Sequence, residues 1–126
     1  MKGSVDVKNY MILYDEIMAQ KNITNTEKII ICDIIDLNSR GIFYPSTEYL
    51  AKHGKIQKRS CTNMLSKLKK RGYISIKKEY VKEQCTELRS IKITEKTFRL
   101  IKDQLNQLIE AGEIDEYTKS NLYAII

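Results

Sequence analysis

One histidine, His53, and three widely separated cysteines, Cys32, Cys61 and Cys85, leave little from which to build a metal site. An odd number of cysteines with no close pair argues against a disulfide framework and reads as three reduced thiols. Tryptophan is absent and proline occurs once, as Pro45. No segment is of low complexity and none repeats. No apolar run approaches the ~20 residues that span a bilayer. The opening MKGSVDVKNY lacks the apolar centre of a signal peptide, so the expectation is a cytoplasmic protein. Also missing are a Gly-rich phosphate loop, a nucleophile elbow and a histidine to pair with a serine or cysteine. Asp33 and Asp36 stand three apart on one helical stretch, which is ordinary amphipathic spacing. The chain therefore reads as a non-enzyme that needs no cofactor and no metal.

The least even absence is of acid. Residues 49–78 contain ten Lys and Arg and not one Asp or Glu. They are Lys52, Lys55, Lys58, Arg59, Lys67, Lys69, Lys70, Arg71, Lys77 and Lys78. The whole chain has 22 basic and 16 acidic side chains, so the rest holds 12 basic against 16 acidic and is net −4. At 126 residues, 42% apolar and 30% charged, the composition is that of one globular domain with a real core. A basic stretch alone can be a solvated face, but on an otherwise acidic protein it suits a polyanion.

The residue pattern predicts mainly α-helix with one small antiparallel β-hairpin. The run YMILY, residues 10–14, is either a buried strand or the start of a helix, with Asp15 capping a short turn through Met18. Thr24 and Glu27 have capping-box spacing. The helix over 26–38 is apolar around most of its circumference, with a narrow polar strip at Asp33 and Asp36, as suits a central helix. A second helix over 46–53 starts at the N-cap Ser46, with Glu48 at its positive end, and Gly54 breaks it. After Ile56, a third helix over 57–71 buries Cys61, Met64, Leu65 and Leu68, and Gly72 stops it. Ile74 and Ile76 then alternate with polar residues, as do Ile91 and Ile93. Pairing Ile76 with Ile91 and Ile74 with Ile93 makes a hairpin with its tip near Glu83 and Gln84. Thr94 caps a last long helix to about Ala111, with Phe98, Ile101, Leu105 and Leu108 on its apolar face. The tail to Ile126 adds a further turn or two.

Three helices followed by a hairpin is the order of a winged helix-turn-helix, and the local residues are more specific than the order. The stretch YPSTEYLAKHGKIQKRSCTNMLSKLKKRGYI, residues 44–74, resembles the winged-helix domains of phage and plasmid replication proteins. The matching positions are Ser46, Leu50, Ala51, Gly54, Ile56, Lys58, Arg59, Leu68, Gly72, Tyr73 and Ile74. MILYDEIM and ITNTEKIIICDII resemble the segment that precedes the helix pair, so the likeness covers roughly residues 10–95. It implies a single domain over 1–126, with its winged helix over 10–94 and a helical extension over 95–126. It also implies sequence-specific binding to double-stranded DNA at an origin of replication or transfer. A transcriptional regulator at an operator and a winged-helix protein–protein adaptor are the alternatives.

In that fold the helix over 57–71 enters the major groove and the wing over 73–93 lies near the backbone or minor groove. Arg59 suits guanine, Asn63 adenine, and Thr62 a base edge or a thymine methyl. Lys55, Lys58, Ser66, Lys67 and Lys70 suit phosphates, which position the protein without encoding sequence. Ser46 and Thr47 sit at a helix N-terminus, where they either meet a phosphate or simply cap. In the wing, Lys78, Lys82 and Arg89 are the favoured phosphate contacts over Lys77 and Lys92, although Glu79, Glu83 and Glu87 would repel a phosphate. His53 is expected on the surface at a helix end. A tyrosine nucleophile on DNA would need a metal or acid–base cluster that the sequence lacks. RNA would need an aromatic platform along the basic strands, which is also missing. Residues 95–126 either close the core or pair two copies on repeated half-sites.

Overall fold

The computed structural model describes residues 11–126, so MKGSVDVKNY lies outside it. Residues 11–14 form neither strand nor helix but irregular chain, and they deliver a buried Tyr14 to the core. The short helix α1 (Asp15–Met18) follows, with Tyr14 rather than Asp15 at its N-cap. Asp15 is instead the first helical residue, and its backbone N–H donates to Gln104 Oε1 at 2.8 Å.

The central helix α2 (Asn25–Ser39) begins at the expected capping box. The Glu27 N–H donates to Thr24 Oγ1 and the Thr24 N–H to Glu27 Oε1, which satisfies two otherwise orphaned donors. Ile30, Ile31, Cys32, Ile34, Ile35 and Leu37 are all buried, because α2 is packed on several sides. The polar strip expected at Asp33 and Asp36 does not form: Asp33 is only 2% exposed, covered by the following helix, while Asp36 pairs with Arg40 at 2.8 Å.

Helix α3 (Thr47–Gly54) starts at Ser46, whose Oγ accepts from the Tyr49 N–H at 3.0 Å. Gly54 does not supply the break. It is the last helical residue, and the left-handed turn falls on Lys55 at φ 56°, ψ 43°. Helix α4 (Lys58–Lys70) then runs to a glycine that is needed. Gly72 sits at φ +83°, where the Tyr73 N–H can return to Leu68 O at 3.0 Å and close the last turn.

Strands β1 (Ile74–Val81) and β2 (Thr86–Ile93) pair antiparallel, with Ile74 opposite Ile93 and Ile76 opposite Ile91. A 3₁₀ turn over Lys82–Gln84 and a left-handed Cys85 make the tip. The edge of β2 is covered twice. Its Ile91 N–H donates to Phe43 O at 2.8 Å, and Asn38 of α2 receives the Ile93 N–H at 2.8 Å while donating to Ile91 O at 3.1 Å. This fully buried amide has its hydrogen bonds made, as a buried polar group must.

Thr94 caps α5 (Glu95–Glu110), which buries Phe98, Ile101 and Leu105, and Leu108 is half-buried. Asp115 caps α6 (Glu116–Tyr123), which buries Leu122 and fastens to α2 through Asn121 Nδ2 to Ser39 O at 2.8 Å. Residues 95–126 thus pack into the same core as the helices before them.

Candidate nucleic-acid interface

Helix α4 is amphipathic in the strict sense. Cys61, Leu65 and Leu68 are buried, while Arg59, Asn63, Ser66 and Lys70 are exposed. Those four follow the i, i+4, i+7, i+11 spacing of one helical face, which lies opposite the buried stripe. Thr62 and Lys67 flank it and are exposed too. The Thr62 hydroxyl donates back to Lys58 O at 3.1 Å, so its proton is already used.

The ten cations of the acid-free stretch divide into two groups. Arg71 turns away from the exposed face of α4 and donates to Asn22 O, with Glu27 Oε1 3.9 Å away, so it joins the end of α4 to the start of α2. Lys58 lies 3.5 Å from Glu48 in a largely exposed pair, which water screens to little energetic consequence. Among the described residues, the other eight have no carboxylate within ion-pair distance. These are Lys52, Lys55, Arg59, Lys67, Lys69, Lys70, Lys77 and Lys78, and all are exposed.

Two residues expected at phosphates are hydrogen-bonded to each other in the fold. Half-buried Arg89 donates from Nη1 to Thr47 Oγ1 at 2.8 Å and from Nη2 to Pro45 O at 2.7 Å. This fork ties β2 to the N-terminus of α3. Both acceptors are neutral, so the guanidinium charge remains at that helix end. Ser46 has its capping bond there, one of the two roles open to it.

The wing differs from a simple basic loop. Lys78 and Lys82 are exposed, and Lys78 stands opposite Arg89 across the hairpin. Glu79 turns to the base of the wing, where it accepts from the Tyr44 hydroxyl at 3.0 Å, the Ser90 hydroxyl at 3.1 Å and Lys92 Nζ at 3.3 Å. The Tyr44 hydrogen bond, helped by those from Lys92 and Ser90, holds the Glu79 carboxyl below its ordinary range, and the same bond pushes the Tyr44 phenol up. Lys92 is therefore a structural partner of Glu79, leaving Glu83 and Glu87 as the exposed wing acids. Sequence reasoning passed over Tyr80, which is 66% exposed and lies between Lys78 and Lys82. The signal available was an aromatic at a polar position of an alternating strand.

Among the described residues, no group of three His, Cys, Asp or Glu is placed to hold a metal ion. No helix there is long and apolar enough to cross a membrane.

No curated protein sequence matches the chain. The structure of S. aureus MepR bound to ethidium bromide aligns with a TM-score of 0.53 at 16% identity, over 96% of this chain and 84% of that one. A second MepR structure, described as a transcription regulator of the Staphylococcus aureus multidrug efflux pump MepA, aligns at 0.50 and 19% identity, over 96% and 85%. At such identities the likeness is one of fold, and that fold is the winged helix-turn-helix. The sequence model of the DnaD N-terminal domain matches residues 13–109, which takes in α1 to α4, the whole hairpin and α5 up to its last residue. With more than half of its length in that match, the chain belongs to the DnaD N-terminal domain family.

Proposed function

We propose that the protein is a non-enzymatic, sequence-selective binder of double-stranded DNA, working in the cytoplasm at an origin of replication or transfer. One observation carries this reading. Eight exposed cations without a carboxylate partner among the described residues are grouped around a helix whose outward face presents Arg59, Asn63, Ser66 and Lys70. Arg59 and Asn63 have the donor and acceptor geometry for guanine and adenine edges, with Thr62 beside them. Lys55, Lys58, Ser66, Lys67 and Lys70 take phosphates, and Lys78 and Lys82 extend that contact along the wing. At the start of α3, Ser46, Thr47 and Arg89 offer a phosphate the helix N-terminus together with a guanidinium. Membership of a replication protein family supports the setting in replication.

A second reading is favoured by the fold likeness to MepR, whose description is that of a transcription regulator: an operator-binding role for the same face. The protein–protein adaptor is the weaker reading, because nothing in it calls for eight unpaired cations. If two copies act on repeated half-sites, they meet through α6 and the residues after it, where Tyr117, Tyr123 and Ile126 stay exposed. The stripe Phe98, Ile101 and Leu105 is not available for pairing, since it closes the chain's own core.

The test is discrimination between sites. Affinity is measured for a protected site, selected from DNA near the protein's own gene, and for a scrambled duplex of equal length. Arg59→Ala and Asn63→Ala should each lose about 1–3 kcal/mol of preference for the site, as expected for one bidentate base contact. Lys70→Ala should weaken both duplexes by similar factors. Equal weakening of both duplexes by Arg59→Ala would make Arg59 a phosphate contact and refute its base-reading role.

A further inference from the structure

The hairpin carries the alternation that buries its base out beyond the core. Strand side chains alternate between faces, so the rungs Ile76–Ile91, Lys78–Arg89 and Tyr80–Glu87 follow one another along one face. Ile91 is buried in the core and Ile76 packs against it. Arg89 reaches the start of α3 through Thr47 Oγ1 and Pro45 O. This face is therefore the one turned toward the helix-turn-helix, and Tyr80 stands on the next rung out.

The Tyr80 ring is open. Among the described residues no ring or ammonium packs on it, and its hydroxyl has no hydrogen-bond partner. Tyr44 and Tyr123, also exposed, differ in this respect. The Tyr44 hydroxyl donates to Glu79, and the Tyr123 ring lies 4.8 Å from that of Phe98. A lone exposed aromatic suits many strands, but the surroundings of this one give it a direction. The exposed charges that flank it along the hairpin cancel, Lys78 and Lys82 against Glu83 and Glu87. A phosphate is drawn to the Lys78 rung and not to the tip, where Glu87 stands directly opposite the ring. The tip suits a flat, uncharged partner instead, and every nucleic-acid base presents such a face.

We propose that Tyr80 is a base-stacking residue of the wing, and that the DNA this chain prefers carries an unpaired or easily opened base pair where the wing crosses it. The proposal rests on the duplex-binding function above and adds the state of the DNA at one point of the site. On intact duplex the ring gains little, because unstacking a paired step costs about what one stacked ring returns. Where the pair is already broken that cost is absent and the gain remains. Arg59 and Asn63 then read the paired part of the site, and Tyr80 reads whether the step under the wing is open.

The full chain is tested against a duplex carrying its protected site and against copies in which two adjacent mismatched pairs move stepwise through the flanking sequence. At one position the mismatch should tighten binding by roughly 5- to 150-fold, the range of one base stacked on an aromatic ring, and elsewhere it should not. Tyr80→Ala should lose that gain and bind the fully paired duplex as the wild type does. Tyr80→Phe should keep the gain, since stacking needs the ring and not the hydroxyl. Arg59→Ala should weaken paired and mismatched duplexes alike and leave the gain in place. Both Tyr80 variants should melt with the wild type, because the ring is open to solvent. Iodouracil placed at the opened position should crosslink to Tyr80 on irradiation, a readout made on the wild type itself. A gain absent at every position, a gain that survives in Tyr80→Ala, or a crosslink to another residue overturns the proposal. Binding to paired duplex without any gain defeats this inference alone. A chain that binds neither form defeats the proposed function and this inference together.

Discussion

Raising the salt from 50 to 200 mM should weaken duplex binding by roughly 250- to 1,000-fold. The slope of log K against log salt should be about −4 to −5, which corresponds to neutralising ~4–6 phosphates. Among the described residues, eight cations are available without breaking an internal ion pair, and three of them, Lys52, Lys77 and Lys78, lie farthest by sequence from the outward face of α4. The contrast inside the molecule makes the experiment diagnostic. Arg71 belongs to the same basic run but is spent on Asn22 and Glu27, so Arg71→Ala should lower stability and leave the slope unchanged. Lys67→Ala and Lys70→Ala should each reduce the slope by about 1, because each removes one phosphate contact. Fluorescence anisotropy with a labelled duplex across a salt series reads all three. Binding that ignores salt, or no binding to any duplex at 50 mM, would remove the basis of the proposed function.

How far the sequence disclosed this arrangement depends on the range of the physics involved. The hairpin register was legible because β-branched residues alternate at Ile74, Ile76, Ile91 and Ile93, and a one-residue slip would turn all of them outward. The capping box of Thr24 and Glu27 and the N-caps Ser46 and Thr94 were legible because their partners lie three residues away. The buried and exposed faces of α4 followed from its period. What failed to show was set by partners distant in sequence. Asp33 looked like half of a solvated strip, since nothing local says that His53 will cover it. Arg89 looked like a free wing cation, and only the folded chain brings Thr47 and Pro45 to it. Asn38 gave no signal at all, yet its amide holds β2 against α2. One local rule also failed. Gly54 was the natural residue for a left-handed turn, but the turn falls on Lys55. A Cβ on Gly54 would sit 3.7 Å from Ile30, an ordinary contact, so neither backbone nor packing calls for glycine there.

Removing residues 95–126 should unfold the chain rather than release a smaller winged helix. Phe98, Ile101 and Leu105 of α5 and Leu122 of α6 are each 3% exposed or less. Helix α5 lies against α1 and β2, and α6 against α2, so their loss would bare the apolar side of the central helix and of Ile17. Truncating one buried Leu, Ile or Phe to Ala costs about 2–5 kcal/mol, whereas a whole domain of this kind is stable by only about 5–15 kcal/mol. Four such side chains removed together cost about as much as the whole domain's stability or more. A chain ending at Thr94 should therefore show no cooperative thermal transition and no selective DNA binding. Leu105→Ala in the full chain should still fold, with its melting temperature lowered by roughly 6–25 °C. A truncated chain that melts cooperatively and binds the same site would make α5 and α6 a separable appendage, freeing the Phe98 stripe to pair two copies. Light scattering on the full chain isolates the remaining question. With that stripe buried, any dimer has to form elsewhere, and Tyr117→Ser together with Tyr123→Ser should dissociate one built on α6 while leaving the melting transition cooperative.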